Sequence, residues 1–238
     1  MAGSARVLRS ASPPERLFRI ARAPDPWSWP DWSHAGPDGT FGNRWDDPDS
    51  SYRVLYAASD RLGSFVEVLG RFRPDPHVVQ GIKEIAGEDD GALRPGQIGA
   101  SWLAWRRLGE ATIAGRYVDI GHSESLAVLR SDLAARAVHY ALPDLDAAAI
   151  RLRVPRRFTQ EISRYVHAQT SSSGRAFDGI AYVSRLGDEL RLWAVFEPAT
   201  EAEAAGLIRD PLISRIAPDD ANLQRALEIH GLTLIGQP

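Results

Sequence analysis

Residues 53–59 read Arg-Val-Leu-Tyr-Ala-Ala-Ser, an apolar run bounded by polar residues, and such a run suits a strand that is largely buried. Immediately after it, Leu62, Phe65, Val66 and Leu69 recur at helical spacing, so a helix that buries one face follows with almost no connection. Ser59 is placed to cap that helix, its hydroxyl accepting from an N–H of the first turn. Before the run, Gly36, Gly39 and Gly42 crowd the approach to Asn43, Arg44 and Trp45, and Pro48 with Asp49 closes a loop, so Arg44 sits in punctuated turn structure. At about 100° per residue, Glu67 falls off the apolar stripe of the helix beside Ser64 and Arg71. Its carboxylate therefore faces water or a cleft.

A buried strand needs a core on both sides, and 238 residues at 44% hydrophobic content are enough to supply one. Cysteine is absent, which excludes disulfides, thiolate catalysis and cysteine-ligated zinc together. Lys83 is the only lysine, which removes Walker-type phosphate loops and most Schiff-base schemes. With a net charge of -3 there is no basic field that advertises direct nucleic-acid binding. His34, His77, His122, His139, His167 and His230 show no metal-ligand spacing, so no metal site is expected. Residues 36–42 lack the strand, helix and glycine order of a dinucleotide fingerprint, and no serine-hydrolase elbow is present.

No window approaches the ~20 apolar residues of a membrane helix, and residues 1–14 carry no apolar stretch of signal-peptide kind. A cytoplasmic protein with no membrane partner is expected, its first fourteen residues a flexible arm. Residues 17–21 read as a first strand. Three tryptophans, Trp27, Trp29 and Trp32, follow in a proline-broken loop that either lies over a bound base or anchors an irregular segment against the body. Residues 78–85 look like a strand, 87–99 like a surface loop, and 102–120 more like strand than helix. A helix over 124–142 is capped by Ser123 and stopped by Pro143; Pro155 opens another, with Phe158, Ile162, Tyr165 and Val166 along one face. Residues 144–154 are ambiguous, and Ser171 to Gly174 form a short flexible loop. Residues 179–184 and 189–196 read as a hairpin around Arg185-Leu186-Gly187-Asp188. Asp219 or Asp220 caps a last helix ended by Gly231, before a short strand at 232–235.

Taken in order, Leu17-Phe18-Arg19-Ile20, Gly42-Asn43-Arg44-Trp45, Leu55-Tyr56, Phe65-Val66-Glu67-Val68-Leu69 and the run from Phe177-Asp178-Gly179 to Ser184-Arg185 resemble the RES domain, a family named for its Arg, Glu and Ser. The resemblance covers residues 15–72 and 170–197. It implies an α+β fold of the ADP-ribosyltransferase type, with two packed, mostly antiparallel sheets and peripheral helices, and an enzyme that binds NAD as substrate and cleaves its nicotinamide–ribose bond. Residues 15–238 then make one domain with an enlarged middle segment at about 82–170, since the two blocks must meet in one sheet system.

Cleaving that bond builds positive charge on the ribose, so a carboxylate must hold the sugar hydroxyls and stabilise an oxocarbenium-like state, the role the resemblance gives Glu67. The pyrophosphate needs a planar, permanently charged, bidentate donor, and Arg19 and Arg44 are the candidates. Tyr56 would stack on the nicotinamide or the adenine, and Ser184 would donate to phosphate or ribose. Taken singly, each has a plain reading: Glu67 and Arg44 as solvated charge, Tyr56 as core, Ser184 as a strand-end serine. The leading expectation is an NAD-degrading toxin using water or phosphate as acceptor. Transfer of ADP-ribose to a protein acceptor is the alternative, and a nucleotide-binding module without turnover a third. Family toxins are commonly neutralised by an antitoxin protein, which the resemblance adds as a partner.

Overall fold

Strand β3 (Val54–Ala58) lies inside the main sheet with both faces covered. Val54 and Ala58 enter one hydrophobic cluster and Leu55 and Ala57 another, so the strand has no solvent face and needs no polar alternation. The computed structural model describes residues 7–77, 94–172 and 174–236. The expected strand at 78–85 lies outside the described residues.

Around β3 the sheet runs in the order β1 (Ser10–Ala11), β6 (Tyr117–Asp119), β9 (Gly179–Val183), β10 (Arg191–Phe196), β3, β2 (Leu17–Arg22), β5 (Arg106–Ile113), β11 (Ile208–Arg215). All neighbours pair antiparallel except β6 with β9, which run parallel. The two sequence blocks do meet here, β10 pairing with β3 from Leu192 opposite Ala58 to Phe196 opposite Val54. The mixed α+β class holds, with helices at the periphery. In place of two separate packed sheets there is one eight-strand ladder with a weak seam, because β2 and β3 share the single pair Phe18 and Ala58. Two short pairs stand apart: β4 (Gln97–Gly99) parallel to β12 (Thr233–Ile235), and β7 (Thr170–Ser171) antiparallel to β8 (Gly174–Arg175). Gly179 is required where β9 crosses the core, since a Cβ there would lie 2.0 Å from the Ala194 carbonyl oxygen.

Helix α1 (Arg61–Leu69) is capped by Asp60, whose Oδ1 accepts from Gly63 N at 2.6 Å, not by Ser59. The Ser59 hydroxyl instead accepts from Trp193 Nε1 at 2.8 Å. After a four-residue α2 (Ser101–Ala104), the middle of the chain places α3 (Ser123–Asp132), α4 (Ala134–His139), α5 (Ala147–Arg151) and α6 (Arg156–His167) around the cluster of Trp45, Tyr52, Phe158 and Phe196. The helix expected over 124–142 thus breaks at Leu133, and His122 rather than Ser123 caps its first half. Pro155 occupies the N-cap of α6 rather than its first turn. Residues 102–104, expected extended, lie in the helical turn Ser101–Ala104.

Near the end of the chain, α7 (Glu201–Leu207) leads into β11, and α8 (Ala221–His230) ends at Gly231 with φ 64°. Helix α8 clamps α1 at both ends: Arg61 pairs with Asp220, and His230 Nε2 donates to the Val66 carbonyl at 2.8 Å. The arm expected at 1–14 is only partly free, because Leu8 is buried and Ser10–Ala11 pairs with Tyr117 and Val118; residues 1–6 lie outside the described residues. Trp27 is buried in the core and Trp32 lies beside Phe41 at 5.5 Å, so this loop is anchored against the body and is no lid. Among the described residues no helix is long and apolar enough to cross a membrane.

Candidate active site

A cleft of about 510 Å³ opens at the seam between β2 and β3. Its walls are β2, the end of β3, the polar face of α1, the turn at Gly42 to Arg44, and Tyr182 with Ser184 to Leu186 behind β9. The α1 face presents Ser64, Glu67 and Val68, and Arg71 follows from the turn Gly70–Phe72. Glu67 is exposed to the cleft, and its carboxylate accepts from the Ser184 hydroxyl. Ser184 is buried, and its Oγ also accepts from Leu186 N at 2.8 Å. A serine hydroxyl has one hydrogen, and here it goes to Glu67, not outward to a ligand as expected. Ser184 aims the carboxylate.

Arg44 stands at the cleft wall with no carboxylate pairing it among the described residues. Its guanidinium carbon lies 5.6 Å from the Tyr182 ring centre and 6.0 Å from that of Trp45, so the charge rests on aromatic faces. Burial, with Arg185 and Arg156 close by, holds Arg44 below the usual arginine value. The turn is built to present it. Gly42 takes φ 75°, Asp46 Oδ2 accepts from Asn43 N at 2.7 Å, Gln160 Nε2 donates to Asn43 O at 3.2 Å, and the buried Ser163 hydroxyl donates to Trp45 O at 2.6 Å.

Tyr56 closes the same turn from below. Its hydroxyl donates to Asp46 Oδ1 at 2.8 Å and accepts from Trp45 N at 3.0 Å, while its side of β3 lines the cleft. Burial raises Asp46 above the ordinary aspartate range and raises Tyr56 well above that of a free phenol. Arg19 is committed differently from the expectation: Nε donates to Pro26 O and Nη1 to Tyr56 O, both at 2.7 Å, so it stitches β2, the tryptophan loop and β3 together. Arg19 also lines the cleft. Burial lowers Arg19 to about 10, still charged at neutral pH.

The cleft also contains residues that the sequence reading did not select. Arg156, Arg185 and Tyr182 line it, and Asp46 holds the hydroxyl of Tyr56. Arg185 and Tyr182 lay inside a motif already singled out, whereas nothing in the residues around Arg156 tied it to a site over a hundred positions earlier. Among the described residues, Arg19, Arg22, Arg44, Arg71, Arg106, Arg156 and Arg185 border the cleft, against the one carboxylate Glu67. In a chain of net charge -3 that concentration selects an anionic ligand. Guanidinium forks suit phosphate oxygens, and the single carboxylate suits a group that becomes positive. No cluster of three or more His, Cys, Asp or Glu among the described residues is arranged to hold a metal ion.

Comparison with known proteins gives two findings. A family model described as the RES domain matches residues 16–212. Among solved structures, a chain of the M. tuberculosis MbcT-MbcA toxin-antitoxin complex is similar at 14% identity and a TM-score of 0.48, over 95% of this chain and 93% of that one. No curated protein matches.

Proposed function

The chain belongs to the RES domain family, and from that premise we propose that it binds NAD in the seam cleft and cleaves the bond between nicotinamide and ribose. The carrying observation is Glu67, a carboxylate held by Ser184 in a cavity whose other charged lining residues, among the described residues, are arginines. As the C1′–N bond breaks, its electron pair passes to the pyridinium ring, which leaves as neutral nicotinamide. Positive charge builds on C1′ and the ring oxygen, where Glu67 stabilises it while gripping the ribose hydroxyls. An acceptor oxygen then bonds to C1′ and releases its proton to solvent. Arg44, with Arg156 and Arg185 behind it, is the group we assign to the pyrophosphate. Tyr56 keeps the Arg44 turn in place, and Tyr182 offers a second ring to the base or nicotinamide.

This reading carries with it the ADP-ribosyltransferase type of fold and one domain over residues 15–238. It also carries a toxin's partner, an antitoxin protein that covers the cleft. The enlarged middle segment contributes Arg156 to the cleft wall, so it helps build the site. Transfer to a protein acceptor, and binding without turnover, are the competing outcomes of the test. Purified protein incubated with NAD should release nicotinamide, followed by chromatography, and Glu67→Gln should reduce that release by about 100-fold or more while NAD still binds, because charge is lost with little change in volume. Equal release from the variant would overturn the assignment. Binding without release would select one of the two competing readings.

A further inference from the structure

Arg22 and Arg106 are direct partners in the β2–β5 ladder, so their side chains leave the same face of the sheet side by side. Like charges opposite one another destabilise a pair of strands. A third arginine, Arg71, joins them from the turn Gly70–Phe72, one helical turn beyond Glu67. Among the described residues none of the three is paired with a carboxylate. Instead Arg106 lies over the Trp102 ring at 5.3 Å and Arg71 over Phe72 at 5.3 Å. Arg22, Arg71 and Arg106 all line the same cleft, and burial, then Arg22 and Arg71, hold Arg106 below the usual arginine value.

Of the other cleft arginines, Arg19 is held by the Pro26 and Tyr56 carbonyls, and Arg44, Arg156 and Arg185 form their own group. Glu67 lines the same cleft, one turn from Arg71. Arg22 and Arg106 also border a second cavity of about 610 Å³, walled by Phe72, Trp102 and Trp105. There Trp102 Nε1 is buried without an acceptor, and Trp105 is 71% exposed. A dinucleotide's pyrophosphate can occupy one arginine group only.

We propose that Arg22, Arg71 and Arg106 form a second anion subsite, which takes a phosphate group additional to the pyrophosphate. The assignment rests on the NAD reading of the neighbouring cleft. The shared chemistry is a phosphate dianion, and two sources present it: the 2′-phosphate of NADP, whose adenine would face the tryptophan-walled cavity, or inorganic phosphate bound beside the dinucleotide.

Calorimetric titration with inorganic phosphate alone, with NAD, with NADP, and with phosphate in the presence of NAD tests this. The proteins compared are the wild type and Arg22→Gln/Arg71→Gln, with the exposed Arg71→Gln alone as a second variant where the double change unfolds the chain. The wild type should bind NADP about tenfold more tightly than NAD, naming the 2′-phosphate, or bind inorganic phosphate saturably, naming the free anion. Either effect should fall about tenfold in the double variant, and measurably in the single one. A wild type that binds NAD, does not distinguish NADP and does not bind phosphate would overturn the subsite and leave the NAD reading intact. Phosphate binding that the variants abolish, in a protein that does not bind NAD, would do the reverse. A preference undiminished in the variants also overturns the subsite.

Discussion

Ser184 and Glu67 lie 117 positions apart and meet in one hydrogen bond, the serine's single hydrogen being given to the carboxylate. The motif around each residue was legible in the sequence, but the direction of that hydrogen was not. Which acceptor a serine finds depends on how β9 and α1 meet, and no local pattern encodes that. Arg19 repeats the lesson, since its identity fitted phosphate chemistry while its neighbours turned two of its nitrogens to backbone carbonyls. A positioning role for Ser184 predicts a particular kinetic split. Ser184→Ala should lower kcat for nicotinamide release by roughly 10-fold to 100-fold, as a misplaced catalytic group does, with a smaller change in KM. Ser184→Thr, which keeps the hydroxyl, should restore much of the loss. A rise in KM alone would return the serine to ligand binding.

At the scale of elements, α6 was plain in the sequence as an amphipathic helix after Pro155, yet its polar positions carry its part in the site. Gln160 and Ser163 face inward and support the Arg44 turn, and Ser163 links the Tyr52 hydroxyl, at 3.0 Å, to the Trp45 carbonyl. Strand β11 escaped the reading for a local reason: Pro211 and the positive φ of Asp210 interrupt it at a bulge, and nearly all of it is exposed, so no apolar run marks it. Removing the Ser163 hydroxyl strands a buried phenol and a buried carbonyl. Ser163→Ala should cost about 1–3 kcal/mol in urea unfolding and raise KM for NAD more than it lowers kcat. No change in stability would mean water replaces the hydroxyl.

The last residue of α6 sets a pH dependence. His167 is stacked on Tyr52 at 3.8 Å, and burial, then Arg175, lower it to about 4. Its folded value lies below the unfolded 6.5, so the unfolded chain binds more protons between those limits. The stabilisation is therefore complete above about pH 6.5 and is lost as the pH falls toward 4. Between pH 7 and 5 this group should remove on the order of 1–2 kcal/mol, read as a fall in urea midpoint. His167→Phe should flatten that part of the profile, and an unchanged slope would assign the acid sensitivity elsewhere.

For the molecule as a whole, the decisive feature is the seam where one backbone pair joins β2 to β3 and the cleft opens. Both strands were legible in their apolar runs, but a seam is a property of how two strands fail to pair. The distribution of charge was likewise invisible to a net value of -3, because seven arginines scattered over the chain converge on one cavity. Arg19 replaces the missing strand hydrogen bonds at the seam with its planar fork, reaching the Pro26 and Tyr56 carbonyls at once. Lysine keeps the charge but cannot span two acceptors set for a guanidinium. Arg19→Lys should therefore lower the unfolding free energy by about 1–3 kcal/mol, measured in urea, and widen the cleft enough to raise KM for NAD. If stability is unchanged while KM rises, Arg19 acts on the ligand through Nη2 alone, and the seam is held by the flanking ladders. If stability falls while KM does not, the seam is structural and the pyrophosphate rests wholly on the Arg44 group.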